Sequence, residues 1–399
     1  MPPCSRAGGT SVFPIVVDDT IDPFSIDVSE EVLADLHQRL EKARFPAPAP
    51  GEPWAAGTDL EYLQSLCRYW KDGYDWRAQE AVLNGFAQYR TTIDGQTVHF
   101  MHVRSPEPRA FPLLLTHGWP GSVAEFVHVF GPLADPRAHG GDPADAFDVI
   151  CPSLPGFAFS GPTTEPGWDA RRIARAWAVL MSRLGYDRYG AQGGDWGAMV
   201  SSQLALIDEE HLVGLHLNFV IATPPSDFDY STLDAAGQAA LADMASYLQD
   251  GSGYVRIQST RPQTLGYGLD DSPVGLAGWI VEKFRAWTDC DGVIERAVSR
   301  DDLLTNLMLY WVTATAHSAA RIYYESEKTG CLGPVNAKVT VPTGCAIFPR
   351  ELLRPPRAWA DRVYNVTRWT EMQAGGHFAA LEQPEVLAAD IRTFFRPLR

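Results

Sequence analysis

Tyr189-Gly190-Ala191-Gln192-Gly193-Gly194-Asp195-Trp196-Gly197-Ala198-Met199-Val200 sets an acid at the centre of a Gly-x-Asp-x-Gly spacing. That spacing describes a nucleophile elbow, a sharp strand-to-helix turn that pushes one side chain into a site. Small residues flank such a turn because backbone and helix crowd each other there. The central residue is a carboxylate where most elbows carry serine. A carboxylate is already ionised at neutral pH and displaces at an electrophilic carbon, leaving an ester on the protein. On its own, Gly-Gly-Asp is an ordinary turn with a solvated acid. Three other stretches argue otherwise.

Upstream, Leu113-Leu114-Leu115-Thr116-His117-Gly118-Trp119-Pro120-Gly121-Ser122 is an apolar run ending in His-Gly. It predicts a buried strand and then a loop that donates an oxyanion-hole amide. The expected donors are the backbone N–H groups of Trp119 and of Trp196, the residue after the nucleophile. His117 is expected to be structural, bonding within that loop. Near the C-terminus, Gly375-Gly376-His377-Phe378 precedes Pro384, a residue suited to the first position of a helix. His377 there suits a general base. Between these lies Val341 to Glu351, a short strand whose exit carries an acid, Glu351, in reach of the histidine. Asp227 and Asp229 are the alternative acids. The order nucleophile, acid, histidine is that of α/β-hydrolases.

These stretches together resemble the microsomal-type epoxide hydrolases, a family that includes the juvenile hormone epoxide hydrolases. The resemblance runs from about Pro23 to the end. It is carried by His117-Gly118-Trp119-Pro120-Gly121-Ser122, Gly193-Gly194-Asp195-Trp196-Gly197, Phe348-Pro349-Arg350-Glu351-Leu352-Leu353 and Gly375-Gly376-His377-Phe378. Gly253-Tyr254-Val255-Arg256-Ile257-Gln258 and Asp271-Ser272-Pro273-Val274-Gly275-Leu276-Ala277 match as well. The resemblance implies hydrolysis of an epoxide to a vicinal diol through a hydroxyalkyl ester on Asp195. His377 would be the general base and Glu351 its orienting acid. Tyr254 and Tyr323 would be the ring-opening proton donors, with Tyr324 the alternative to Tyr323. No metal or organic cofactor is implied.

The remaining sequence is consistent with this expectation. A net charge of −16 argues against nucleic acid as a partner. Only Lys42, Lys71, Lys283, Lys328 and Lys338 among 33 basic residues are lysine, a bias that GC-rich genomes produce. That hints at a bacterial source, where such enzymes serve detoxification or the tailoring of natural products, polyketide and enediyne antibiotics included. The six cysteines (Cys4, Cys67, Cys151, Cys290, Cys331 and Cys345) show no metal or Cys-x-x-Cys spacing and read as reduced, which suits a cytoplasm. Met1 to Arg6 is neither a leader nor an anchor, and Val12 to Val17 is too short to span a bilayer. A soluble protein without a membrane partner is expected, with homo-oligomers such as a dimer left open.

The chain divides into an N-terminal helical extension (1–90), a first hydrolase portion (91–220), a helical cap (221–336) and a second hydrolase portion (337–399). The fold class is α/β, a mostly parallel sheet flanked by helices. The extension predicts helices from Ser29, from a Thr58-Asp59-Leu60-Glu61 capping box, and from Asp75 to Gln88. Short apolar runs predict strands over Phe111–Thr116, Phe147–Pro152, Tyr189–Gln192, Leu212–Phe219, Lys338–Phe348 and Val366–Met372. The aromatic-rich insertion would roof an apolar pocket. Two rival readings share the elbow. A haloalkane dehalogenase also esterifies an aspartate but needs halide-binding N–H donors, and a silent hydrolase fold would only bind.

Overall fold

The structure, a computed structural model, describes residues 19–399. Cys4, Met1 to Arg6 and Val12 to Val17 lie outside these residues. One nine-stranded sheet, with buried apolar strands at its centre, comprises β1 (Asp22–Phe24), β2 (Gln88–Ile93), β3 (Gln96–Val103), β4 (Phe111–Thr116), β5 (Phe147–Pro152), β6 (Tyr189–Gly193), β7 (Leu212–Leu217), β8 (Pro342–Ile347) and β9 (Asn365–Glu371). Their spatial order is β1-β2-β3-β5-β4-β6-β7-β8-β9. The first three strands are antiparallel, β3 runs antiparallel to β5, and every later pairing is parallel. Leu113, Leu114 and Leu115 of β4 have no exposed surface, which is why that strand reads as unbroken apolar sequence. This is the expected α/β-hydrolase sheet.

Several element ends differ from expectation. The third helix is Trp76–Asn84 rather than Asp75–Gln88, because Gly85 caps it and Gln88 already pairs with Met101 in the sheet. The helix expected from Thr58 is capped by Asp59, whose side chain accepts from the Tyr62 N–H; the Thr58 hydroxyl donates instead to Gly278 O at 2.6 Å. β8 begins at Pro342, four residues after Lys338. β2 crosses the 90/91 boundary, so the N-terminal segment contributes strands as well as helices.

Between β7 and β8 the chain makes a run of helices, among them Ala235–Ser246, Pro273–Trp287, Arg300–Trp311 and Ala316–Thr329. The N-terminal helices clasp them through polar contacts. Tyr69 donates to Asp301 at 2.7 Å, the Trp70 indole N–H points to Met308 Sδ at 3.2 Å, and Tyr74 meets the Thr305 hydroxyl at 3.0 Å. No helix among the described residues is long and apolar enough to cross a membrane. Cys67, Cys151, Cys290, Cys331 and Cys345 are free and buried.

The C-terminal helix Pro384–Phe395 is pinned to the sheet by one carboxylate, with Pro384 at its start as expected. Asp390 pairs with His216 of β7 at 3.0 Å and accepts from Arg368 Nε at 2.8 Å and Thr370 at 2.9 Å, both on β9. Burial would raise its pKa, but these partners hold it at about 2. The folded value lies below the unfolded value of ~3.9, so this contribution is full above that pH and is lost as pH falls through about 2. Asp390→Ala leaves Arg368 and His216 facing a buried gap and is expected to cost about 3–5 kcal/mol. A denaturant titration of the variant checks this.

Candidate active site

Register alone brings the first pieces together. Thr116 at the end of β4 pairs with Gly193 at the end of β6, so the loops that follow leave the sheet side by side. Asp195 starts the helix Asp195–Ile207 with φ +48°, a backbone strain of roughly 1–3 kcal/mol for a residue with a Cβ. The glycines around it are obligatory. A Cβ on Gly197 would lie 1.8 Å from Thr116 O, one on Gly193 2.2 Å from Gly197 O, and one on Gly118 2.2 Å from Asp195 Oδ1. Strand, turn and loop meet closely only because these positions have no side chain.

The carboxylate is held at both oxygens. The Trp119 N–H donates to Asp195 Oδ1 at 2.8 Å, and His377 Nε2 lies 3.4 Å from Oδ2. The Trp196 N–H, expected as the second amide donor, makes no hydrogen bond to that carboxylate. His377 follows β9 on a loop bridged to the exit of β8, where the Arg350 N–H donates to Gly375 O at 3.1 Å. That bridge delivers Glu351 to the histidine: Oε1 meets Nδ1 at 2.7 Å and also accepts from the Leu352 N–H at 2.7 Å. Asp227 and Asp229 are exposed and engaged elsewhere, with Arg362 and Ser231, so Glu351 is the acid the structure brings to His377.

Burial opposes protonation of His377, yet the charges of Glu351 and Asp195 and a hydrogen bond to each outweigh it and hold its pKa well above the ordinary value. His117 is the opposite case. Burial lowers its pKa to about 4, and the neutral ring bonds Gly118 O at 3.0 Å while Nε2 accepts from the Leu154 N–H at 3.1 Å. It braces the loop, as the sequence predicts.

Two phenols from the insertion complete the site. Tyr254 stacks on the Trp119 indole (ring centres 5.0 Å apart), and Tyr323 sets its edge against Trp196 at 4.7 Å and Tyr254 at 5.9 Å. Burial raises both pKa values far above the usual phenol, so each keeps its proton. Tyr324 is half-buried with Lys328 over its ring at 3.7 Å, so of the two neighbours it is Tyr323 that packs against Trp196 and Tyr254. Sequence reasoning missed three groups here. The Tyr247 hydroxyl meets that of Tyr254 at 2.8 Å, and buried Lys283 sits 4.7 Å from the Tyr254 ring. Glu382 accepts from the Phe378 N–H at 3.0 Å and from the Asp289 N–H at 2.7 Å, tying the histidine loop to the insertion. Its burial lifts its pKa to about 7. A cleft of about 680 Å³ lined by Trp54, Tyr247, Ile257, Trp279 and Trp287 opens onto Tyr254.

An elbow residue at the C-terminal edge of a mostly parallel sheet, faced by a histidine from the last strand's loop, defines an α/β-hydrolase. Residues 112–245 match the family model for the alpha/beta hydrolase fold, and residues 21–126 match the model described as epoxide hydrolase N terminus. Epoxide hydrolase 1 of Sus scrofa is 40% identical over 403 residues, spanning 94% of this chain and 89% of its own. The juvenile hormone epoxide hydrolase of the silkworm Bombyx mori superposes with a TM-score of 0.88 at 33% identity over 96% of each chain. An Aspergillus niger epoxide hydrolase does so with 0.85 at 32% identity, over 97% of this chain and 99% of its own. The chain belongs to the microsomal-type epoxide hydrolase family, and it is an epoxide hydrolase.

Proposed function

We propose that the protein opens an epoxide in two steps through a hydroxyalkyl ester on Asp195. The observation that carries this is the Asp195 carboxylate fixed between the Trp119 amide and His377, with two protonated phenols as its electrostatic neighbours. Oδ1 rests on the amide, which leaves Oδ2 to attack a ring carbon from behind. The carbon–oxygen bond breaks and the departing alkoxide takes a proton from Tyr254 or Tyr323, since it is too basic to leave unassisted. Water then gives a proton to His377 and its oxygen bonds to the ester carbon, with the developing oxyanion on the Trp119 amide. Each such amide is typically worth roughly 2.7–4 kcal/mol. The trapped alkoxide departs as the second hydroxyl, and the two protons of the water end on that hydroxyl and on the phenolate. Glu351 keeps the imidazole oriented and balances its charge.

Residues 221–336 act as the cap in this reading, and their aromatic cleft supports a hydrophobic epoxide as substrate. The arginine-rich composition supports a bacterial role in detoxification or natural-product tailoring. Neither rival is favoured: the relatives are epoxide hydrolases, and the insertion sets two phenols against the indoles of Trp119 and Trp196 that flank Asp195. Turnover in heavy-oxygen water tests the two-step route. The first-turnover diol is expected to be unlabelled while the Asp195 carboxylate gains label, and later diol carries label in one hydroxyl. Label in the first diol would mean direct attack by water.

A further inference from the structure

Asp195 and His377 do not line that cleft; they line a second, smaller chamber that shares no residue with it. Its volume is about 10 Å³, matching the roughly 10–15 Å³ that one water requires. Thr116, Asn218 and Phe378 form part of its wall, and so does Glu125. This acid takes no part in the steps above. Its place is built with some care. Ser122 caps the short helix Val123–Phe126, and Glu125 reaches back so that one carboxyl oxygen accepts from the Ser122 N–H, a capping box. Gly121 has to be glycine, since a Cβ there would fall 1.2 Å from Glu125 Oε1. Capping alone would be satisfied at a surface. Here the half-buried side chain lines the same chamber as the reacting pair, and desolvation of the carboxyl lifts its pKa to about 8, with the charge of His377 and the Ser122 N–H opposing and that of Asp195 adding.

We propose that this chamber holds the water that hydrolyses the Asp195 ester, and that Glu125 fixes its orientation. An attacking water has two hydrogens to place. His377 Nε2 takes one as a proton, and ionised Glu125, through the oxygen not bonded to Ser122, accepts the other as a hydrogen bond. The lone pair of the water is thereby turned to the ester carbon. The epoxide enters by the cleft and the water waits in the chamber, so substrate binding does not expel the second reactant. This inference rests on the two-step reading above.

Glu125→Gln separates the water-holding role from the cap. The Ser122 N–H selects the amide oxygen, so the amide NH₂ faces the chamber and offers only donors. The cap and the side-chain volume are kept while the acceptor is lost. Rapid-quench mass spectrometry of the intact protein above about pH 8, where Glu125 is ionised, should show ring opening within about twofold of the parent and ester hydrolysis slowed about tenfold or more, the size of one lost hydrogen bond. Glu125→Ala should slow the same step at least as much. An unchanged ester lifetime in the glutamine variant overturns the proposal, as does a proportionate fall in both steps. No ester in any variant, His377→Gln included, overturns the two-step reading and this inference with it.

Discussion

His377→Gln is expected to stop the protein at the ester, with one substrate equivalent bound to Asp195 and no second turnover. Ring opening needs Asp195 and the phenols, and neither depends on the histidine acting as a base. Hydrolysis does depend on it, and loss of a positioned base costs typically about 10²–10⁴ in rate. The pH behaviour should carry the same signature. In the resting protein Glu351 and Asp195 hold the histidine pKa high, and an imidazolium cannot accept a proton. Esterification removes the Asp195 charge and its hydrogen bond, so the histidine pKa falls at the moment a base is required. The hydrolysis rate of the parent should therefore rise with pH through the ester-state pKa of His377. Intact-mass measurement after mixing with an aryl or alkyl epoxide shows the adduct, and Asp195→Ala, which forms none, is its control. Equal slowing of both steps in the glutamine variant would remove His377 from the role of base.

The paired replacement Tyr254→Phe with Tyr323→Phe should act on the other half. Each phenol can serve the leaving oxygen, so a single variant leaves one donor and ring opening is expected to fall about tenfold. Losing both should reduce it about 10²–10⁴-fold, with hydrolysis of any ester that forms unchanged. The setting supports a donor role. Both rings are buried and protonated, and the phenolate left behind on Tyr254 has Lys283 over its ring and a hydrogen bond from Tyr247. Rapid-quench measurement of ester formation checks the prediction. A double variant that opens the ring at the parent rate would exclude these phenols as the acid.

The turn at Asp195 and the loop before it were legible because their constraints are local. Gly193, Gly197 and Gly118 are imposed by approaches of about 2 Å that no other residue survives, and such glycines appear in the sequence next to the groups they accommodate. The strands Phe111–Thr116 and Phe147–Pro152 match expectation to the residue because burial leaves them mostly apolar. The insertion was less legible. A buried tyrosine of the core and a buried tyrosine of the site have the same helical periodicity, so Tyr254 and Tyr323 could be read only through resemblance. Tyr247 and Lys283 belong to no motif, and only folding places them against Tyr254. Glu125 did leave a trace, in Ser122-x-x-Glu125. That pattern predicts a helix start and says nothing of what the free oxygen faces.

The bonds between the N-terminal helices and the roof bear on how this chain can be re-engineered. Asp301, Thr305 and Met308 find their partners in Tyr69, Tyr74 and Trp70, more than two hundred positions earlier in the chain. A graft that imports another enzyme's roof while keeping this amino-terminal arm would strand those groups without mates. The two pieces are best transplanted as one module, although the ribosome makes them far apart.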